Sequence, residues 1–455
     1  MANQKINQSG YINSLDKAYI FTYENEFLQL VPQNKEDIKP YDFLANSDKF
    51  YEILEGKNIS NQKIYFLNCN LKVSGSGYIA KPAGFICCTN ELNSFKTISF
   101  SGGIIDYFYR TNQIFDENQS NINYDSGEST IKLRSFNEIG KTCNVVISGK
   151  KAILLLSIAI PPLPEWMTVD YNLGKPKSFL RLTFEDEIKV SDFKKIYLWI
   201  YNLMVFLNFR KDVLFGNIEF GNLNDKGQVY KSAYTHIVKK DKSEIENVDS
   251  IIGYYFVDEN LSELLQIINT PKLNLLFIPE KVKDKQYITP ESYMITCTSF
   301  ESIFNFTFPD AKIKYSKIAN EVRDEFLEFI STKDEEYKGK DAKKRKEFKK
   351  YSDMIKLMDF GLAEKFIYCY SQYKALVENY EKQKMQRMNL LFENPNDMAV
   401  EFAKKRNLLM HSNLESFENV HVMAYLLAQV FIYIMIMKRA GISDNKIIQA
   451  IDKVL

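Results

Sequence analysis

Thr289-Pro290-Glu291 marks the point at which this chain stops reading as strands and starts reading as helices. A threonine hydroxyl can accept from the free amides of a first turn, a proline there has no amide to satisfy, and a glutamate suits the positive end of the dipole. Helical periodicity then runs almost without a break. SYMITCTSFESIFNF predicts a first helix, and AKIKYSKIANEVRDEFLEFI places Ile318, Val322, Phe326 and Phe329 on one stripe. Two long segments, 341–358 and 362–390, meet near Gly361, and Asn394-Pro395-Asn396-Asp397 stops one helix and caps the next. A last long helix over about 417–440 ends at Gly441, a residue suited to the left-handed position after a C-cap.

Upstream of Thr289 the pattern is that of strands. KIYFLNCNLKV (63–73), KTISFSGGIIDYFYR (96–110), STIKLRSF (129–136) and CNVVISGKKAILLLSIAI (143–160) are dense in β-branched and aromatic residues. Gly102-Gly103 and Gly149-Lys150-Lys151 fall where hairpin turns are expected, and PPLP at 161–164 ends a strand because proline cannot donate to a ladder. One helix interrupts them: in VSDFKKIYLWIYNLMVFLNFR, Ser191 or Asp192 can cap, and Phe193, Tyr197, Ile200, Tyr201, Met204 and Leu207 recur at helical spacing. KDVLFGNIEFGN returns to strand character and LSELLQIINT (261–270) is a second short helix. The expected fold is α+β: a β-rich domain over residues 1–275, an antiparallel sandwich or barrel with a packed helix, followed by an all-α domain over residues 289–455.

The 455 residues, 45% hydrophobic, are enough for two or more cores. With 59 basic and 58 acidic residues the formal charge is +1, so any nucleic-acid surface has to be a local patch. The six cysteines form no C-x-x-C pair and have no histidine at ligand spacing, which argues against a structural zinc and for reduced thiols in the cytoplasm. Cys87-Cys88 in GFICCT read as strand neighbours facing opposite ways, one of them buried. MANQKINQSG lacks the pattern of a secretion signal. AYLLAQVFIYIMIM (424–437) is interrupted by Gln429 and shorter than the roughly 20 residues that span a bilayer. It reads as a buried core or dimer helix, and no membrane partner is expected. The sequence contains no phosphate loop of the G-x-x-x-x-G-K-[ST] type and no G-x-S-x-G elbow, and three histidines are too few for a His-rich metal site. No metal and no cofactor are expected. The acidic cluster Glu185-Asp186-Glu187 reads as a turn between strand and helix.

Within the predicted helical domain one stretch carries chemistry: AKKRNLLMHSNLE, residues 403–415. Asn407 and His411, four apart, share a helix face. Arg406, five before His411, is offset by about 140° on an ideal helix. An early helix end near Ser412-Asn413, or the reach of the arginine, would bring the two together. The plainer alternative is a structural histidine near a helix end, with Lys404, Lys405 and Arg406 on a solvated face. His421, in NVHVMAY, reads as a core or capping residue, and His236, in YTHIVKK, as a strand or loop residue.

An arginine, a polar residue, three more residues and a histidine, just before the final long helix of a C-terminal helical domain, resemble the R-x4-6-H signature of HEPN domains. With the β-rich half before it, the whole chain resembles the Apea-like HEPN proteins of bacterial anti-phage defence. The resemblance implies a HEPN-like bundle and a metal-independent endoribonuclease whose site is composite, each copy of a homodimer supplying Arg406, Asn407 and His411 through its C-terminal domain. It further implies RNA as substrate, transfer RNA being one candidate, and an infection signal or regulator at the β-rich domain. Cleavage by the neighbouring 2′-hydroxyl needs a proton acceptor, a proton donor and a cation at the phosphorane, and histidine serves either proton role near neutral pH. Arg406 would grip the phosphate and Asn407 orient the imidazole or a phosphate oxygen. Lys404 and Lys405, adjoining the motif, are candidate RNA contacts. Glu301 (SFESIF) is a candidate acid for pairing with and orienting Arg406.

The most basic stretch is YKGKDAKKRKEFKK (337–350), diluted by Asp334, Glu335 and Glu336; such a stripe either attracts a phosphate backbone or is a solvated face. The rival class of function is a non-catalytic recognition protein, in which the helical half dimerises and the β-rich half binds a ligand.

Overall fold

The computed structural model describes residues 7–15, 17–34, 48–75, 77–89, 93–116, 121–122, 129–130, 132–159, 176–238, 250–311, 317–357, 361–382, 394–411 and 416–455. The chain divides into two compact units, Met1–Asn208 with Asp212–Gln266, and Phe209–Lys211 with Ile267–Leu455. Residues 267–275 therefore go with the helices, ahead of the change in composition. Leu273, Phe277 and Ile278 are buried there, and Phe209 packs edge-on to Tyr433 at 5.8 Å.

The first unit is built on one antiparallel sheet. Its strands are β1 (Gln8–Ile12), β2 (Tyr19–Glu24), β3 (Phe27–Pro32), β4 (Lys49–Asn58), β5 (Lys63–Ser74), β6 (Gly77–Ala80), β7 (Gly84–Cys88) and β8 (Ser94–Gly103). A two-residue pair, β9 (Asn121–Ile122) and β10 (Ser129–Thr130), stands apart. The sheet continues through β11 (Lys141–Ile147), β12 (Lys150–Ala159), β13 (Lys177–Lys189), β14 (Phe215–Leu223) and β15 (Val229–Ile237). The order is β11-β12-β13-β8-β14-β15-β7-β5-β4-β1-β2-β3-β6. Because β6 also pairs with β5, the last six strands of that order close into a barrel. Alternation explains its filling: β2 buries Tyr19, Phe21 and Tyr23 and exposes the residues between. Phe21 meets Phe66 edge-to-face at 5.1 Å in the middle of the barrel.

The other strands form an open wing, and α3 (Phe193–Asn208) lies on it, with Phe193 against Phe220 and Tyr197 against Phe215, each at 5.7 Å. Ahead of it a single 3-10 turn, Val190–Asp192, is closed by the Asp192 carboxylate, which accepts from the Lys189 amide at 2.9 Å, so Asp192 caps that turn rather than α3 itself. At the far edge α4 (Leu261–Ile268) covers β11, where Ser262 donates to the Asn144 carbonyl at 2.8 Å. This cover blocks pairing at an open strand edge.

Several sequence expectations are corrected here. Gly102-Gly103 is not a hairpin turn: both glycines have positive φ, 65° and 59°, and lead β8 into α1 (Ile104–Phe108). STIKLRSF is mostly not strand, and passes into α2 (Phe136–Ile139). Cys87 and Cys88 are both buried, because every residue of β7 is covered on both faces. Glu185, Asp186 and Glu187 lie within β13 at a bulge between Thr183 and Ile188, exposed. The β11–β12 hairpin turns at Ser148-Gly149 (φ 50° and 82°), so of the expected Gly149-Lys150-Lys151 turn only Gly149 takes part and both lysines belong to β12. PPLP and Ser412-Asn413 lie outside the described residues.

The second unit is helical: α5 (Pro290–Thr307), α6 (Lys317–Glu336), α7 (Ala342–Leu357), α8 (Leu362–Tyr380), α9 (Pro395–Met410), α10 (Asn419–Arg439) and α11 (Asp444–Val454). The start signal works as read, with the Thr289 hydroxyl accepting from the Ser292 amide at 3.1 Å. α10 is buried nearly all round from Met423 to Met437, which makes it the central helix of the unit. Although long and apolar enough to cross a membrane, it has 83% of its most apolar window buried inside the protein. Phe300, Phe366, Phe402 and Phe431, one each from α5, α8, α9 and α10, meet at 5.1–6.3 Å and pin the four helices together. α11, which the sequence did not announce, buries Ile447, Ala450, Ile451 and Val454 on one face. α6 and α7 pack on each other as a helical hairpin. The stripe Ile318, Val322, Phe326 and Phe329 faces outward, 44–71% exposed.

Candidate active site

α9 begins with Asn394, whose Oδ1 accepts from the Asn396 amide at 3.0 Å, and with Pro395 in the first turn. Its inward stripe is Met398, Phe402, Lys405 and Leu409, spaced four, three and four. That spacing decides which motif residues reach solvent. Lys405 falls between Phe402 and Leu409 and is 1% exposed. Its Nζ donates to the Ser416 carbonyl at 3.1 Å and lies 5.1 Å over the Phe417 ring. The expectation that Lys405 contacts RNA is therefore corrected: the ammonium is used inside the protein, where it ties the start of the α10 segment to α9. Lys404, one position before it, is exposed, with its Nζ 3.1 Å from Glu401.

Arg406 turns toward α5. Its Nη2 lies 3.5 Å from the Glu301 carboxylate, as expected for that acid, and its Nη1 donates to Asn407 Oδ1 at 3.2 Å. Arg406 Nε is buried and donates to no group among the described residues. The other oxygen of Glu301 lies 3.5 Å from Nζ of Lys365 on α8, whose side chain is only 9% exposed. One carboxylate thus serves two cations, and the cluster keeps a net positive charge.

Lys365 was not among the residues expected at the site. The available signal is its position on the buried stripe Leu362, Phe366, Cys369 of α8, the same signal that marks Lys405. Cys297, one turn before Glu301, is no nucleophile. Burial pushes its thiol far up, and the nearby Arg406 offsets only part of that.

His411 is the C-cap of α9, with φ −94° and ψ 20° and its amide donating to the Leu408 carbonyl at 3.1 Å. Its imidazole is exposed. Among the described residues no hydrogen bond or ion pair joins the ring to Arg406, Asn407 or Glu301. The structure brings the arginine, asparagine and glutamate together and leaves the histidine one turn away at the helix end.

No protein-family model matches this chain, and no curated protein and no solved structure matches it. Among the described residues no group of three or more His, Cys, Asp or Glu side chains is placed to hold a metal ion.

His421 takes the capping role expected of it: it is 6% exposed and its Nδ1 accepts from the Glu418 amide at 3.1 Å. Nε2 lies 3.6 Å from Glu401. Burial, then the Lys405 charge, holds the imidazole below its ordinary range in spite of that carboxylate. His236 lies in β15, paired with Phe85 of β7.

Proposed function

We propose that this chain is a metal-independent endoribonuclease whose site is completed by a second copy, each contributing Arg406, Asn407 and His411. The observation that carries the reading is the asymmetry of the motif: a guanidinium fixed by Glu301 and Asn407, and one turn on an imidazole exposed at a helix cap. A fixed arginine can hold a phosphate without being ordered first. An exposed, unengaged imidazole can move a proton at neutral pH. One chain supplies one such histidine, whereas a two-fold pair supplies an acid and a base.

In the reaction, one imidazole takes the proton of a 2′-hydroxyl, whose oxygen attacks the adjacent phosphorus. Arg406 stabilises the charge that develops on the phosphoryl oxygens. The second imidazole protonates the departing 5′-oxygen, leaving a 2′,3′-cyclic phosphate and a 5′-hydroxyl. Lys404, exposed on α9, would meet the RNA backbone, and the β-rich unit would receive a signal in a defence system against phage.

The test is cleavage of RNA in the presence of chelator by wild type and His411→Ala, with product ends identified. Wild type should leave cyclic phosphates, and the variant should lose about 100-fold or more of the rate. Equal cleavage by both proteins would sink the assignment. A second reading, a non-catalytic recognition protein, is favoured by one feature: Arg406 is already engaged by Glu301, as a structural ion pair would be. Absence of cleavage together with ligand binding that ignores His411→Ala would establish it.

A further inference from the structure

The turn between α6 and α7 carries a second arrangement that the motif on α9 does not use. Arg345 donates to Asp334 through Nε at 2.9 Å and Nη2 at 3.2 Å, a two-pronged contact that locks the two helices. Beside it Tyr337 stacks on Phe348, with centroids 5.9 Å apart and planes 13° from parallel, and Lys344 Nζ lies 4.9 Å over the Tyr337 ring. Tyr337, Lys344 and Phe348, with Lys343, Lys346, Glu347 and Tyr351, line an open groove of about 600 Å³. Positions 344, 348 and 351 recur at four and three, so one lysine and two rings share a helix face. Tyr351 is 54% exposed.

The nearby acids are largely consumed. Glu335 takes Lys338, Glu336 takes Lys333, and Glu347 lies 3.7 Å from Lys350. Lys340, Lys343, Lys344, Lys346 and Lys349 have no carboxylate within ion-pair distance among the described residues. The dilution of this stretch by acids, evident in the sequence, is therefore largely offset locally: Lys343, Lys344 and Lys346 line the groove with the exposed Tyr351 ring, and Lys340 and Lys349 lie on the same turn and helix.

We propose that the α6–α7 turn is a platform for single-stranded nucleic acid, with bases stacked on Tyr351 and beside the Tyr337–Phe348 pair and phosphates on the unpaired lysines. A duplex would offer the lysines its phosphates and leave the rings unused, and an acidic peptide would do the same. Unpaired bases use both. An anionic lipid surface fits worse. Apart from Tyr351, the large exposed apolar side chains of the hairpin are on α6, where Glu321, Glu325 and Glu328 flank them with charge of the same sign as the lipid. The platform stands on its own residues and does not depend on chemistry at His411.

The test titrates fluorescein-labelled oligouridylate and oligothymidylate, each about 20 nucleotides so that one groove is fully spanned, with the full-length chain across a salt series. A His411→Ala background keeps the RNA intact. Both strands should bind, RNA and DNA being distinguished by their relative affinities. Lys343→Gln/Lys346→Gln/Lys349→Gln should flatten the dependence of log K on log salt by about 2, at roughly 0.7 for each phosphate no longer neutralised. Tyr351→Ala should weaken binding about five-fold or more with the slope unchanged, and Tyr351→Trp should retain it. If the triple variant fails to fold by circular dichroism, the Tyr351 pair decides alone. The proposal is overturned if wild type binds neither strand, if the lysine and Tyr351→Ala variants bind as wild type does, if duplex binds as tightly as single strand with Tyr351→Ala silent, or if phosphatidylserine vesicles are captured and oligonucleotides are not.

Discussion

Replacing Glu301 by glutamine isolates the polar cluster under the motif. The carboxylate lies 3.5 Å from both Lys365 and Arg406. At that separation and an effective dielectric near 20, each contact attracts by about 5 kcal/mol before desolvation, which sets a ceiling. Most of this is offset by the cost of taking the ions out of water. Removing one partner of a well-buried pair costs about 3–5 kcal/mol, because the other charge is left stranded. Here the Lys365 side chain is 9% exposed but those of Glu301 and Arg406 are 25% and 30% exposed, so water compensates part of the loss. A destabilisation of about 2–3 kcal/mol is expected, which for a unit of this size lowers Tm by roughly 4–12 °C. Urea unfolding followed by circular dichroism measures it. Adding Lys365→Met should recover part of the loss, because the stranded ammonium is gone and the position lies on an apolar stripe. If Glu301→Gln unfolds within about 0.5 kcal/mol of wild type, or the two changes are strictly additive, the carboxylate does not hold these cations and the account of a fixed Arg406 fails.

Two further outcomes follow from the geometry. His421 is held neutral in the folded chain below its ordinary pKa, so the unfolded state binds more protons at acid pH. Its contribution to stability is fully present above about pH 6.5, the unfolded value, and is lost as the pH falls from there toward the folded value. His421→Gln should shrink the drop in Tm between neutral and mildly acid buffer, and an unchanged drop would refute this. Gly103 has φ 59° and ψ −126°, and a Cβ there would lie 2.5 Å from the Leu214 carbonyl oxygen. Gly103→Ala should therefore cost about 2–4 kcal/mol, read as a lower urea midpoint of the β-rich unit.

The helix starts were the most legible part of the sequence, because caps are local chemistry: Thr289 and Asn394 each accept the amide that their side chains were expected to accept. Periodicity located the apolar stripe of α6 but carried no information about what covers it. The same Ile318, Val322, Phe326 and Phe329 that suggest a core face lie on the surface of the unit. A glycine pair announces a sharp change of direction without saying whether a strand or a helix follows, which is why Gly102-Gly103 read as a hairpin. At the candidate site Glu301 was named only through the resemblance, since in the sequence it reads as an exposed helical glutamate, and its carboxylate lies 3.5 Å from Arg406. Lys365 and Lys405 were not legible as buried, since a charge type suggests solvent while the helical register puts both on buried stripes. Register is the stronger term: a long ammonium can be carried inside where a carboxylate or a carbonyl meets it, but a helix face cannot be rotated out of its core.

The burial of Lys405 bears on how variants in the motif should be read. Its ammonium is engaged by the Ser416 carbonyl inside the protein, whereas the imidazole of His411, at the C-cap of the same helix, is exposed. Exposed side chains without partners contribute little to stability, typically within about 0.5 kcal/mol. His411→Ala therefore removes chemistry with little cost to the fold, and a reduced rate in that variant can be assigned to the ring. Arg406→Ala has no such reading, because it also removes one of the two cations on Glu301 and the donor to Asn407 Oδ1, and so mixes a structural effect with a catalytic one. Lys405→Ala leaves the Ser416 carbonyl without its donor and removes a buried contact of α9, so its loss of activity would say nothing about contact with RNA. Among the described residues of this stretch Lys404, Asn407, Met410 and His411 are exposed, but Asn407 accepts from Arg406 and Lys404 pairs with Glu401, so an activity measurement is read most directly as function at His411.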